Sequence, residues 1–301
     1  MSRTIAVGLD GSPESRAAAD WAARAARLRA LPLKLVNVWE PVPAPMAEDP
    51  LLGADTQQHW SQRIPREAAE RIRARHPGLD VTVEQRTGWA GEALVDAARE
   101  SELLVLGSRG LSGVGGFMIG SVGMAVVAHA ERPVVLVRAG ELAAFEHTRD
   151  PAGSPSADTA YRPVVLGVDT EHPDGSLIEF AFDAAERRAT TLHAVHSWTV
   201  PPHDWYAPSA NDRLNAQLAV KEAAALTAAL RPWRQKFPTV DVVEDSRPAR
   251  AADLLLDASR DASLIVVGRR IRRSPLGAHT GPITHAVLHH CTVPVAVVSH
   301  R

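Results

Sequence analysis

Seven glycines fall between Gly107 and Gly123, most of them in the run Gly107-Ser108-Arg109-Gly110-Leu111-Ser112-Gly113-Val114-Gly115-Gly116-Phe117-Met118-Ile119-Gly120-Ser121. Glycine loses more conformational freedom on ordering than any other residue. Such a cluster points to backbone that takes positive φ or lies close to a ligand. The run follows the apolar segment Leu103–Leu106 and leads into a helix at Gly120-Ser121. Unpaired N–H groups and the positive dipole end make a helix start an anion site. Strand, glycine loop and helix start in series read as a phosphate cradle, with the Ser121 hydroxyl as a further donor.

The elements that must position this loop occur twice. Ile5-Ala6-Val7-Gly8-Leu9-Asp10 matches Val164-Val165-Leu166-Gly167-Val168-Asp169, and Trp39 matches Trp198. Leu103-Leu104-Val105-Leu106-Gly107 matches Leu264-Ile265-Val266-Val267-Gly268, and Pro133–Val137 matches Pro294–Val298. The first two landmarks are offset by 159 residues (169 − 10, 198 − 39) and the last two by 161 (268 − 107, 294 − 133). A repeat of this length is a duplicated domain, since solenoid periods run to roughly 50 residues at most. The expected division is a first domain at 1–140, a linker at 141–161 and a second domain at 162–301. The linker contains Pro151, Gly153, Ser154, Pro155 and Ser156, a composition that reads as exposed.

Within the first copy, strands are expected at 4–9, 33–38, 81–85 (edge-like), 103–106 and 134–137. Helices are expected from Pro13 to about 30, at 55–75, 92–99 and 120–130, the first capped by Ser12. Short apolar strands alternating with helices imply an α/β fold: two tandem doubly wound domains, each a five-stranded parallel sheet with helices on both faces. Such sheets bind ligands beyond the carboxyl ends of their strands, where strand order switches. Asp10, Trp39 and Gly107 all stand at such ends.

The bulk composition narrows the alternatives. Acidic and basic residues give a formal charge of −2, which offers no support for nucleic-acid binding. Cys291 is the single cysteine, which suits a reducing interior. No leader and no apolar run of membrane-spanning length is evident, so a cytoplasmic location without membrane contact is expected. Only Lys34, Lys221 and Lys236 carry lysine, and none follows a glycine loop as a Walker lysine does. His285 and His289 are four apart on an expected helix, but spacing places no third metal ligand beside them. His193 and His196 point to opposite faces of a strand. The seven tryptophans read as core or interface anchors. No catalytic constellation and no protein-borne metal site is assembled by spacing.

The spacing Gly107-x2-Gly110-x9-Gly120-Ser121 resembles that of the ATP-binding universal stress proteins, and Gly8-Leu9-Asp10-Gly11-Ser12 is similar to that family's first strand end. The likeness spans both halves and resembles the tandem two-domain members. It implies a stress-response regulatory protein that binds an adenine nucleotide, ATP with Mg2+, and hydrolyses it very slowly if at all. Under it, Gly8, Asp10 and the Val38 backbone face adenine and ribose. Gly107, Ser108, Arg109, Gly110, Ser112 and Gly113 wrap ribose and phosphates, and Gly120, Ser121 and Val122 hold the outer phosphates. Phe117 stands where some members carry a basic residue. The resemblance also implies a homo-oligomer or an intrachain pseudo-dimer, for which the apolar strands at 134–137 and 295–298 are suited. The competing readings are a nucleotide-free dimerising module and a true ATP-hydrolysing enzyme.

The second copy departs from the pattern. Gly268 and Gly281 keep the first and third glycines, whereas Ile271 replaces the second and Pro282 replaces the serine. A β-branched residue does not easily take positive φ, and proline donates no N–H. Arg269, Arg270, Arg272 and Arg273 could grip a phosphate or an acidic partner, or form a solvated loop. A calorimetric titration should therefore find one adenine-nucleotide site per chain; two equivalent sites would contradict this.

Overall fold

The computed structural model describes residues 3–40, 54–108, 120–140, 142–199, 208–271 and 280–300. In the first half the chain runs β1 (Ile5–Leu9), α1 (Pro13–Arg29), β2 (Leu33–Trp39), α2 (Ala54–Arg75), β3 (Val81–Thr87), α3 (Ala90–Arg99), β4 (Leu103–Ser108), α4 (Ser121–His129) and β5 (Val134–Arg138). The second half repeats it with β6 (Val164–Gly167), α5 (Gly175–Arg187), β7 (Leu192–Trp198), α6 (Pro208–Lys236), β8 (Val242–Pro248), α7 (Ala251–Ser259), β9 (Leu264–Arg270), α8 (Pro282–His290) and β10 (Val295–His300). The expected five strands and four helices are present in each half.

Strand order is β3-β2-β1-β4-β5 in the first half and β8-β7-β6-β9-β10 in the second. The pairings within each half are parallel. All five residues of β1 and of β5 are buried, as strands covered on both faces must be. β3 is the edge of its sheet and is mostly exposed: Val81 is buried, whereas Val83, on the same face by alternation, is 41% exposed. The chain builds β1, β2 and β3 outward and then returns to place β4 on the far side of β1. The crevice between β1 and β4 is therefore the switch point, and Asp10 and Gly107 flank it.

Helix α1 begins where the sequence demands. Ser12, in extended backbone, accepts the Ser15 N–H at 3.1 Å, and Pro13 fills the first helical position. The helix carries alanine on its buried side, at Ala18, Ala19, Ala22 and Ala26, so it settles close on the sheet. Its first turn crosses β4 so tightly that a Cβ on Gly107 would stand 2.5 Å from the Glu14 carbonyl carbon and 2.7 Å from the Ser15 nitrogen. Gly107 does not take positive φ. Its lack of a side chain is required by helix-on-strand packing.

Pro151, Gly153, Ser154 and Pro155 are exposed, as the composition of the segment suggests, but residues 143–162 also carry local structure. Contacts divide the chain into compact units, and this stretch opens the second, which starts at Ala143. A 3-10 turn, Ala143–Glu146, leads into a small antiparallel arrangement with bridges His147↔Tyr161 and Arg149↔Pro155. Glu146 and His147 are buried, at 2% and 7% exposure. The His147 ring lies 3.9 Å from that of Tyr161, and its Nδ1 donates to Thr159 O at 2.5 Å. Arg162 Nε donates to His147 O, and Thr190 Oγ1 donates to Tyr161 O, both at 2.8 Å. Local polar chemistry and one tilted ring pair hold this segment in place.

Among the described residues, no helix is long and apolar enough to cross a membrane. Gly107→Ala should destabilise the first half by roughly 1–3 kcal/mol, because main chain must move to admit the methyl. Gly8→Ala, whose Cβ would meet only the flexible ends of Leu106 and Leu94 at 2.6 and 3.1 Å, should cost less. Urea unfolding of the two variants tests the order, and equal losses would remove the backbone-clash argument.

Candidate functional site

A cleft opens at the carboxyl ends of β1, β2 and β4 in the first half. Gly8, Leu9 and Asp10 reach it from β1, and Val36 and Val38 from β2. Leu106 and Gly107 close it on the β4 side, and Ala90 and Leu94 come from α3. The start of α1 contributes Ser12, Glu14 and Ser15, and the start of α4 contributes Gly120, Ser121, Val122 and Gly123. The walls are thus apolar β-branched and leucine side chains, and the polar groups gather where two helices begin.

Those two helix starts are not equivalent. At α1 the orphan amides are already served. Asp10 Oδ1 accepts from Ser12 N at 3.0 Å and from Ser12 Oγ at 2.5 Å, while Ser12 Oγ accepts from Ser15 N. Ser15 Oγ donates to Ser12 O at 3.0 Å, and Arg16 Nη2 donates to Gly11 O at 2.8 Å. Gly11 takes φ +82, a turn that favours glycine. Glu14 adds a negative charge to the first turn. At α4 the cap is Gly120, with φ −62 and ψ 157; it offers no side-chain cap, and the first turn carries no acidic residue. The chemistry of α4's first turn, with its positive dipole end, suits an outside anion better than that of α1.

Burial alone would raise the Asp10 pKa. The hydrogen bonds from the Ser12 side chain and backbone and from Ser15 outweigh it, and they hold the carboxyl below its ordinary value of 3.8. Asp10 is therefore a fixed anion that also serves the turn. With Glu14 it makes one end of the cleft negative, and the described lining residues include no lysine or arginine.

The sequence-based site residues divide into three groups. Gly8, Asp10, Val38, Gly107, Gly120, Ser121 and Val122 meet at the cleft. Ser108 is not among the lining residues: it is buried at 4% exposure, and its hydroxyl donates to Val137 O at 3.3 Å on the neighbouring strand. Its place on β4 directs it into the sheet's packing. Arg109, Gly110, Ser112 and Gly113 lie outside the described residues. Sequence reasoning missed Glu14 and Ser15, whose approach follows from the bare Gly107 backbone, and Ala90 and Leu94. The last two had a signal in the helix that begins just after β3, at the same end of the sheet.

The corresponding place in the second half is built differently. Gly281 survives because its φ is +76, a conformation its counterpart Gly120 does not use. Pro282 then removes a donor at the first position of α8. A Cβ on Gly268 would stand 2.8 Å from His300 Nε2, an imidazole, where at Gly107 the nearest atoms are those of Glu14 and Ser15. Arg269 belongs to β9 and is buried at 4% exposure, which removes it from a solvated arginine loop. Arg270 ends β9 exposed, and Arg272 and Arg273 lie outside the described residues. Asp169, Glu171 and His172 each bring one ligand atom within 4.8 Å of the others, on an exposed turn where Asp169 Oδ1 accepts from Glu171 N at 3.0 Å.

Comparison with known proteins gives consistent findings. The model of the universal stress protein family matches the chain twice, at residues 1–138 and 160–299. A universal stress protein of Mycolicibacterium smegmatis is 29% identical over 309 residues, covering 99% of this chain and 97% of that protein. One from Mycobacterium tuberculosis is 32% identical over 320 residues, covering 97% and 94%. The crystal structure of a universal stress protein from Archaeoglobus fulgidus superposes with a TM-score of 0.69 at 16% identity, covering 99% of both chains, and supports the fold.

The Asp10 geometry sets a pH dependence. A carboxyl whose folded pKa is depressed contributes stability that is complete above its unfolded value and is lost as pH falls through the folded one. Asp10→Asn should lower the melting temperature at neutral pH, and the gap from the parent protein should close as pH drops below 3.8. A gap independent of pH would show that the charge is not what matters.

Proposed function

The chain belongs to the universal stress protein family as a tandem member, and on that premise we propose that its first half binds an adenine nucleotide, ATP with Mg2+. The observation that carries this reading is the start of α4, Gly120-Ser121-Val122, which has no side-chain cap from Gly120 and lines a cleft at the switch point between β1 and β4. Apolar side chains of Val36, Val38 and Leu94 suit a base and sugar, and the first turn of α4 suits phosphates. Asp10 and Glu14 would repel a polyphosphate standing alone. A divalent cation between carboxylate and phosphate oxygens removes that conflict, which supports Mg2+ as part of the ligand.

The role that follows is regulatory. Binding stabilises whichever conformation or assembly holds the nucleotide better, in a cytoplasmic stress response. Turnover is slow or absent in this reading: the described lining residues offer no cation for a transferring phosphoryl group, and Asp10 is a weak base held ionised by its turn. The second half, with Pro282 at its helix start and His300 against Gly268, is the poorer binder. Assembly as a homo-oligomer or as a pseudo-dimer within one chain belongs to the same proposal, and sedimentation with and without nucleotide distinguishes the two.

Calorimetry with ATP, ADP and cyclic AMP in magnesium buffer tests the reading. The expected result is uptake by the parent protein and at least tenfold weaker uptake by Gly110→Ile, which copies the second half, roughly the loss of one good hydrogen-bonded contact. No uptake of any adenine nucleotide overturns it. Steady turnover abolished by Ser121→Ala would put the enzyme reading first.

A further inference from the structure

Trp89 is not a core anchor. It is 75% exposed, whereas Trp21 is 2% exposed and Trp39, Trp198 and Trp233 are at least half-buried. An indole has a large apolar surface whose exposure to water is costly, and at this position neither capping nor packing accounts for it. Trp89 is the N-cap of α3 and makes no side-chain capping bond. The next residue, Ala90, lines the cleft.

The second half supplies a control. Gly88 N donates to Trp39 O at 3.0 Å and Ala93 N donates to Trp89 O at 3.0 Å. In the second half, Ala249 N donates to Trp198 O at 3.2 Å and Leu254 N donates to Arg250 O at 3.1 Å. The same backbone frame thus holds tryptophan in one half and exposed Arg250 in the other, so the frame does not require an aromatic ring. In the first half this position stands beside the cleft that Ala90 lines. Ala90 N is further pinned by Glu40 Oε1 at 3.0 Å, which fixes the main chain at the cleft rim while the indole stays in solvent.

We propose that Trp89 is a stacking residue of the nucleotide site, its indole closing on the base of the bound nucleotide. The inference rests on the nucleotide reading above and adds to it an aromatic element that the described cleft lining does not contain. Base–aromatic stacking tolerates any base, so Trp89 contributes affinity more than choice among purines.

The test is titration of the full chain with ATP and Mg2+, followed by calorimetry and by tryptophan emission. Trp89→Ala should bind about tenfold more weakly, within the range of one base–aromatic stack, and should melt at the parent temperature when free. Trp89→Phe should keep most of the affinity and lose the ATP-induced change in emission that the parent protein shows. Binding by Trp89→Ala at parent affinity, or an emission change that persists in Trp89→Phe, overturns the stacking role and leaves the nucleotide reading intact. Absence of binding by the parent protein overturns both.

Discussion

The first turn of α1 rests on main chain at Gly107, with no room for even a methyl group between them. Everything else in the first half's cleft takes its position from that contact. It sets how close Glu14 and Ser15 come to β4, and so how narrow the switch-point crevice is. It also makes the turn from Asp10 to Ser12 short, which is why Gly11 takes positive φ and Asp10 folds back on Ser12. A structural requirement and a binding surface share one set of atoms here. Asp10 cannot be assigned to ligand or to turn alone, because one of its oxygens serves the turn while the residue lines the cleft.

The two halves show how such a site is lost while the fold is kept. Strand order, helix order and main-chain contacts such as Gly88 to Trp39 and Ala249 to Trp198 persist in both. What changes is what meets the end of the fourth strand. In the first half it is the backbone of a helix; in the second it is the ring of His300, with the Leu177 side chain at 3.2 Å. Glycine is retained at both places for different reasons, so a retained motif residue does not by itself report a retained function.

Much of this was legible in the residues. Ser12-Pro13 marked the start of α1, the apolar runs marked the strands to within a residue or two, and the repeat offsets gave the duplication. The cleft's location followed from strand ends and the switch-point rule. What was not legible depends on contacts between distant segments. Gly107 reads as part of a phosphate loop until Glu14 is seen against it, and Ser108 reads as a ligand until its hydroxyl is found bonded to Val137. Trp89 carries no sequence mark separating it from buried Trp21; only its surroundings do. The phosphate loop's centre, Arg109 to Ile119, lies outside the described residues, so its chemistry rests on sequence spacing.

Residues 143–162 bear on how such a tandem chain can be taken apart. The seam between the copies is part of the second copy's body, with Glu146 and His147 inside it and Tyr161 held by Thr190 and faced by Arg188 at 5.7 Å. Trimming the chain to the second repeat alone, at the first residue of its opening strand, would strip that cover and leave a raw surface where a ring pair and several carbonyls had been satisfied. The two repeats are therefore unequal modules. The second carries a collar that must travel with it through any shuffling, truncation or exchange of halves.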